Sequence, residues 1–171
     1  MLYLFYGADT YLVKETYTEL FLKIAPKGSK IEDYILDGDD SSADQALIEA
    51  FSTSSLFSDI SLVILKDFAN NYNKWGKTEQ KKLKEYLEKT DIAKSKTKNL
   101  IWIEGDLKAK DIDNPLGHFV KASGIVKHIE KLKGIDFKKW LLKQTKEKDV
   151  SLDPEALAAL VSAFEGETNL L

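Results

Sequence analysis

The sequence predicts an α/β protein: a largely parallel sheet with helices on both sides, followed by a small helical domain. Two observations carry this reading. Five short apolar runs, at 2–6, 31–36, 61–65, 99–104 and 125–129, alternate with stretches of helical period. A short apolar run closed by a turn suits a strand buried on both faces, and alternation with helices suits a parallel sheet. After Gly134 the pattern becomes helical and no strand-like run follows. The chain of 171 residues suits one medium domain with an appendage. The reading divides it into an α/β domain over 1–130 and a helical domain over 135–171.

The first strand is LYLFY at 2–6, closed by Gly7. Asp9 or Thr10 is the expected cap of a helix carrying Tyr11, Leu12, Tyr17, Leu20, Phe21 and Ile24 at helical period. It ends near Pro26-Lys27-Gly28. Ile31 to Leu36 is the second strand, closed by the turn-forming Asp37-Gly38-Asp39-Asp40. Ser41 or Ser42 caps a second helix, whose Ala43, Ala46, Leu47, Ala50 and Phe51 form one stripe. A third strand runs from Ser61 to Leu65. A Lys/Glu-rich helix over 74–90 turns Leu83, Tyr86 and Leu87 inward. A strand at 99–104, a short helix at 114–122 and a strand at 125–129 complete the alternation.

In the second part, Asp136 is the expected cap of a helix with Phe137, Trp140, Leu141 and Gln144 on one face. Asp153-Pro154 opens another, with proline at the first helical position and a stripe of Leu157, Leu160, Val161 and Phe164. Two amphipathic helices are rarely a complete domain, and the sequence stops where a third would begin. The helical domain is therefore expected to be truncated.

Composition removes several function classes. With no cysteine, disulfide scaffolds, thiol catalysis and cysteine-ligated metals are excluded. No apolar run approaches a membrane span and the N-terminus has no basic leader, so the protein is expected in the cytoplasm. All 25 basic residues are lysine, so the chain offers no arginine finger for phosphoryl transfer. Residues 1–70 carry 5 lysines against 12 acids, residues 71–150 carry 20 against 12, and residues 151–171 carry none against 4. That pattern suggests two electrostatically distinct faces. His118 and His128 stand apart without a partner motif. The acids at Asp37, Asp39, Asp40, Asp111 and Asp113 read as turn formers.

A strand, a glycine and a helix form the frame in which a phosphate loop would sit. Counting from Gly7, the second glycine falls on Leu12, the lysine on Val13 and the hydroxyl on Lys14. All three positions fail. The strand at 62–65 ends in Lys66-Asp67 and that at 99–103 in Glu104-Gly105-Asp106, neither being the acidic pair that would hold magnesium. No catalytic residue, cofactor or metal ligand is expected.

Three segments carry a family resemblance: Leu2 to Glu15 with its YGADTYL turn, Ser54 to Leu65 with Ser-Leu-Phe before a strand, and Trp140 after a Lys-Gly linker, followed by a helix ending at Gly166 and Asn169-Leu170. In this order they resemble the DNA polymerase III delta subunit family of clamp-loader components. Ser61 departs from the basic residue often found before that strand in the family. The resemblance implies an AAA+-like (P-loop NTPase-like) three-layer domain lacking a working phosphate loop. It also implies roughly the first half of a protein whose collar-like third domain lies beyond this chain.

The implied function is to bind and help open the sliding clamp, the beta subunit, for loading on primed DNA, without hydrolysing ATP. Other clamp-loader subunits would be partners. The holoenzyme is a nucleotidyltransferase, although this chain itself reads as non-catalytic. Carried over by position, the clamp anchor is Leu56-Phe57. Polar residues on both sides put this pair on a connection, where side chains are usually exposed, though the pair would also suit the core beneath the strand.

Two other functions fit parts of the sequence. One is a nucleotide-dependent enzyme with a degenerate loop. The other is a nucleic-acid module using Lys94, Lys96, Lys98, Lys108, Lys110 and Lys146, with Lys131, Lys133, Lys138, Lys139 and Lys143 as the leading DNA-contact candidates. A solvated helix face explains the same lysines. A weak DNA contact there is compatible with clamp loading.

Overall fold

The structure, a computed structural model, describes residues 1–25, 31–37, 43–52 and 60–170. The expected Pro26-Lys27-Gly28 helix end, the Ser41 or Ser42 cap and the pair Leu56-Phe57 lie outside the described residues. The elements are β1 (Leu2–Tyr6), α1 (Thr10–Ile24), β2 (Ile31–Asp37), α2 (Ala43–Ser52), β3 (Ile60–Lys66), α3 (Ala69–Tyr72), α4 (Lys77–Lys89), β4 (Lys98–Glu104), α5 (Pro115–Ser123), β5 (Ile125–His128), α6 (Gly134–Glu147) and α7 (Pro154–Phe164). Short 3-10 turns add Ile92–Lys94, Ala109–Ile112 and Thr168–Leu170. Among the described residues no helix is long and apolar enough to cross a membrane.

The sheet order is β2-β3-β4-β1-β5, and every pairing is parallel. β1 lies inside the sheet, with Leu4 opposite Trp102 on one side and Val126 on the other. That explains its unbroken apolar run. Right-handed crossovers set the layers. The step from β1 to β2 runs one way along the sheet and the later steps run back, so α1 covers one face and α2, α4 and α5 the other. Alternation along each strand divides the core accordingly. Tyr3, Phe5, Leu62, Ile64 and Ile101 meet Val13 and the half-buried Tyr17, Leu20, Phe21 and Ile24 of α1. Leu2, Leu4, Val63, Leu65, Leu100 and Trp102 meet Leu47, Phe51, Leu83, Leu87, Leu116 and Val120.

Three expected elements change. The single stripe on α1 divides in two: Tyr17, Leu20, Phe21 and Ile24 face the sheet, while Leu12 packs with Phe137, Trp140 and Leu141. α1 is sandwiched between sheet and helical domain, so both sides of it are apolar. The 74–90 helix starts at Lys77, after the separate turn α3. Gln80, inside α4, ties the two together by donating to the carbonyls of Tyr72 and Trp75, at 2.9 and 3.2 Å, while the Tyr72 hydroxyl donates to Gln80 O at 3.0 Å. Phe68, Tyr72 and Trp75 pack into this bend.

Asp136 does not cap α6. The helix starts two residues earlier at Gly134, whose φ of +52° lets the chain turn in, and Lys133 at the cap position makes no side-chain cap bond. The Glu165 carboxylate, arriving from the end of α7, accepts the Gly134 N–H instead. Asp9 and Asp153 cap their helices as expected, and Asn114 caps α5. Asp9, Asn114 and Asp153 accept from Leu12 N, Gly117 N and Ala156 N at 3.0, 2.8 and 2.7 Å.

Candidate functional site: the junction of β1, α1 and the helical domain

Between β1 and α1 the backbone is tightly enclosed. Gly7 N donates to Gly105 O at 2.9 Å, and Ile129 N donates to Tyr6 O at 2.8 Å. A Cβ on Gly7 would stand 1.9 Å from Ile129 O, so the end of β5 lies directly on this turn. Asp9 follows, 2% exposed. Its Oδ1 accepts from Leu12 N at 3.0 Å and from the Thr168 hydroxyl at 2.5 Å. Its Oδ2 is buried without a partner among the described residues. The N-terminus of a helix attracts anions through its free N–H groups and dipole. Here the chain's own carboxylate takes that place.

The helical domain closes over the same turn. Leu12 is buried against Phe137, Trp140 and Leu141, and the Tyr11 ring meets Trp140 edge-on with centroids 5.9 Å apart. One turn along α1, Glu15 accepts from Trp140 Nε1 at 3.3 Å and Gln144 Nε2 at 2.9 Å. Lys143 lies 3.7 Å from Glu15, 3.6 Å from Glu19 and 3.9 Å from Glu147. Glu15 above all, then Glu147 and Glu19, holds the Lys143 ammonium above its usual range.

Leu12 and Val13 are buried on different sides of α1, and Lys14 is exposed. Glu104, at the end of β4, is turned to the far face of the sheet. It accepts from Ala69 N at 2.6 Å and from Trp102 Nε1, and burial raises its pKa. Those two donors make it a support for α3. The histidines serve different elements: His118 pairs with Asp113 at 2.7 Å, and His128 stacks on Tyr6 at 4.8 Å.

The leading lysine candidates do not form one array of free cations. Lys131 pairs with Glu167 at 2.7 Å, Lys139 with Asp136 at 3.8 Å, and Lys143 bridges to α1. Lys133 and Lys138 are exposed, with no ion pair among the described residues. Sequence reasoning found Asp9 as a cap but missed its tie to Thr168, 159 residues away. It placed Gln144 on an inward face but missed Glu15, its partner 129 residues away. Neither pair leaves a local signal.

A parallel sheet in the order 2-3-4-1-5, with α1 the one helix on one face among the described residues and a helical domain packed beside it, defines an AAA+-type module. Solved structures agree in fold. The Bacillus subtilis DNA clamp loader delta protein matches with TM-score 0.63 and 18% identity, over 98% of this chain and 49% of that one. AMPPCP-bound DnaA from Aquifex aeolicus matches with TM-score 0.57 and 15% identity, over 99% and 52%. Domain III of Thermotoga maritima DnaA matches with TM-score 0.53 and 13% identity, over 96% and 69%. Residues 3–129 match the family of the DNA polymerase III delta subunit, and the chain belongs to that family. It spans about half the length of the clamp loader delta structure. No curated protein matches its sequence.

Proposed function

We propose that this chain is the clamp-handling part of a delta subunit that binds and opens the sliding clamp without hydrolysing ATP. The supporting observation is the filled β1–α1 junction: Asp9, Leu12 and Ile129 take up the space where a phosphate loop would need glycine backbone and lysine. In this reading the AAA+ frame serves as a binding scaffold. Leu56 and Phe57 enter an apolar pocket of the clamp, other clamp-loader subunits join through the remainder of the protein, and the whole works in the cytoplasm. Primed DNA is at most a weak contact, through Lys133 and Lys138, since Lys131, Lys139 and Lys143 already have carboxylate partners.

The test pairs two measurements on the 171-residue chain. Capture on immobilised cognate sliding clamp is expected, together with no micromolar heat of ATP binding in calorimetry. Failure of capture overturns clamp binding. ATP binding that is lost on altering residues 7–14 revives the reading of a nucleotide-dependent enzyme.

A further inference from the structure

β1 and β4 are neighbours whose following helices leave toward opposite faces of the sheet. Open α/β sheets take ligands at such a reversal, beyond the carboxyl ends of the strands. A cleft of about 270 Å³ opens there, next to the filled junction. Its apolar lining comes from Val13 and Tyr17 of α1 and Ile103 of β4. Lys14 on α1 and Lys66 at the end of β3 provide its cations. Both are exposed, and neither has an ion pair among the described residues. Asp67 adds one negative charge beside them, while Glu104, also at the cleft, has its carboxylate committed to Ala69 N and Trp102.

Size and charge select the occupant. Pockets for drug-sized ligands run from roughly 300 to 1,000 Å³, so this cleft suits a side chain or two better than a nucleotide. One backbone donor at the start of α1 is already taken, because Leu12 N donates to Asp9. What remains is an apolar floor with two ammonium groups that have no ion pair among the described residues. Interface anchors are side chains seated in such pockets, with charge complementarity setting the choice of partner.

We propose that this cleft receives an apolar side chain and an adjacent carboxylate from a partner protein of the assembly. This rests on the reading of the chain as a clamp-loader subunit, because a subunit has partners to receive. It assigns a docking pocket whose lining includes neither Leu56 nor Phe57.

The test titrates the isotope-labelled 171-residue chain with acetyl-Leu-Glu-amide, acetyl-Leu-Gln-amide and acetyl-Leu-Lys-amide, following backbone amide shifts by NMR. The Glu peptide is expected to shift Val13, Lys14, Asp67 and Gly105, binding roughly fivefold tighter than the Gln peptide and tighter still than the Lys peptide, the scale of exposed charge pairs. The Lys14→Glu/Lys66→Glu variant is expected to reverse that order, and Lys14→Gln/Lys66→Gln to abolish it, with the circular dichroism spectrum unchanged. Equal binding of the three peptides overturns the proposal, as do shifts confined to other residues. Inorganic phosphate or AMP binding the same amides more tightly than the Glu peptide also overturns it, in favour of a small-anion site. Clamp capture that persists when all three peptides fail refutes the pocket and leaves the proposed function standing.

Discussion

Thr168→Val removes the hydroxyl that ties the end of the helical domain to Asp9 while keeping the side chain's shape. In the folded protein Thr168 is 1% exposed and Asp9 2%, so water cannot replace the lost bond without opening the junction. Hydrogen bonds to charged groups contribute about 1.5–3 kcal/mol. Among the described residues Asp9 Oδ2 already lacks a partner, so only Leu12 N would remain there to satisfy the carboxylate. The expected cost is therefore about 2 kcal/mol, which lowers the melting temperature by roughly 4–8 °C in a chain of this size. Thr168→Ser should restore most of it. Asp9→Ala adds the loss of a helix cap, about 1 kcal/mol, and leaves the threonine hydroxyl buried alone. The double variant Asp9→Ala/Thr168→Val should cost clearly less than the sum of the singles, because both remove one bond. Calorimetric melting of the parent and the four variants, with hydrogen exchange along α6 and α7, measures this. A Thr168→Val protein that melts within a degree of the parent, or strictly additive costs, would refute the reasoning.

Replacing Leu56 and Phe57 together by alanine should weaken clamp capture by on the order of a hundredfold, since each anchor side chain buried in a partner contributes roughly 1.5–3 kcal/mol; undiminished binding in surface plasmon resonance would defeat the assignment. Gly7→Ala should cost about 3 kcal/mol or prevent folding, because its Cβ meets backbone 1.9 Å away at Ile129 O; an unchanged denaturation midpoint would contradict that packing. Glu104 has a folded-state pKa raised by burial, so the native state holds its proton more tightly than the unfolded chain, and this contribution to stability is lost as pH rises above the usual carboxylate range. Glu104→Gln, which keeps an acceptor for Ala69 N, should therefore compare more favourably with the parent at pH 8 than at pH 4. Urea denaturation at the two pH values reads the difference, and an equal or reversed difference counts against it.

Strand positions and most helix positions were readable because they rest on local periodicity. LYLFY at 2–6 shows a doubly buried strand without knowledge of its neighbours. Asn114-Pro115 and Asp153-Pro154 mark helix starts by chemistry contained in two residues. Element starts set by a distant partner were misread. α6 begins at Gly134 because Glu165 receives its N–H, and no property of residues 133–137 announces a carboxylate 31 residues away.

The same division holds for the junction. The sequence by itself determined that residues 7–14 do not match the phosphate-loop pattern, because Leu12 and Val13 bring bulky apolar side chains to positions that need glycine and lysine. It also determined the family, through motifs in a fixed order. Only the tertiary structure decided what occupies the vacated place. Asp9 at the cap of α1, with Leu12 and Glu15 on it, meets Thr168, Trp140 and Gln144 of the helical domain there. The physical reason is that periodicity encodes which face of an element is buried, whereas a hydrogen bond between residues 159 apart depends on how the packed layers bring the two ends of the chain together.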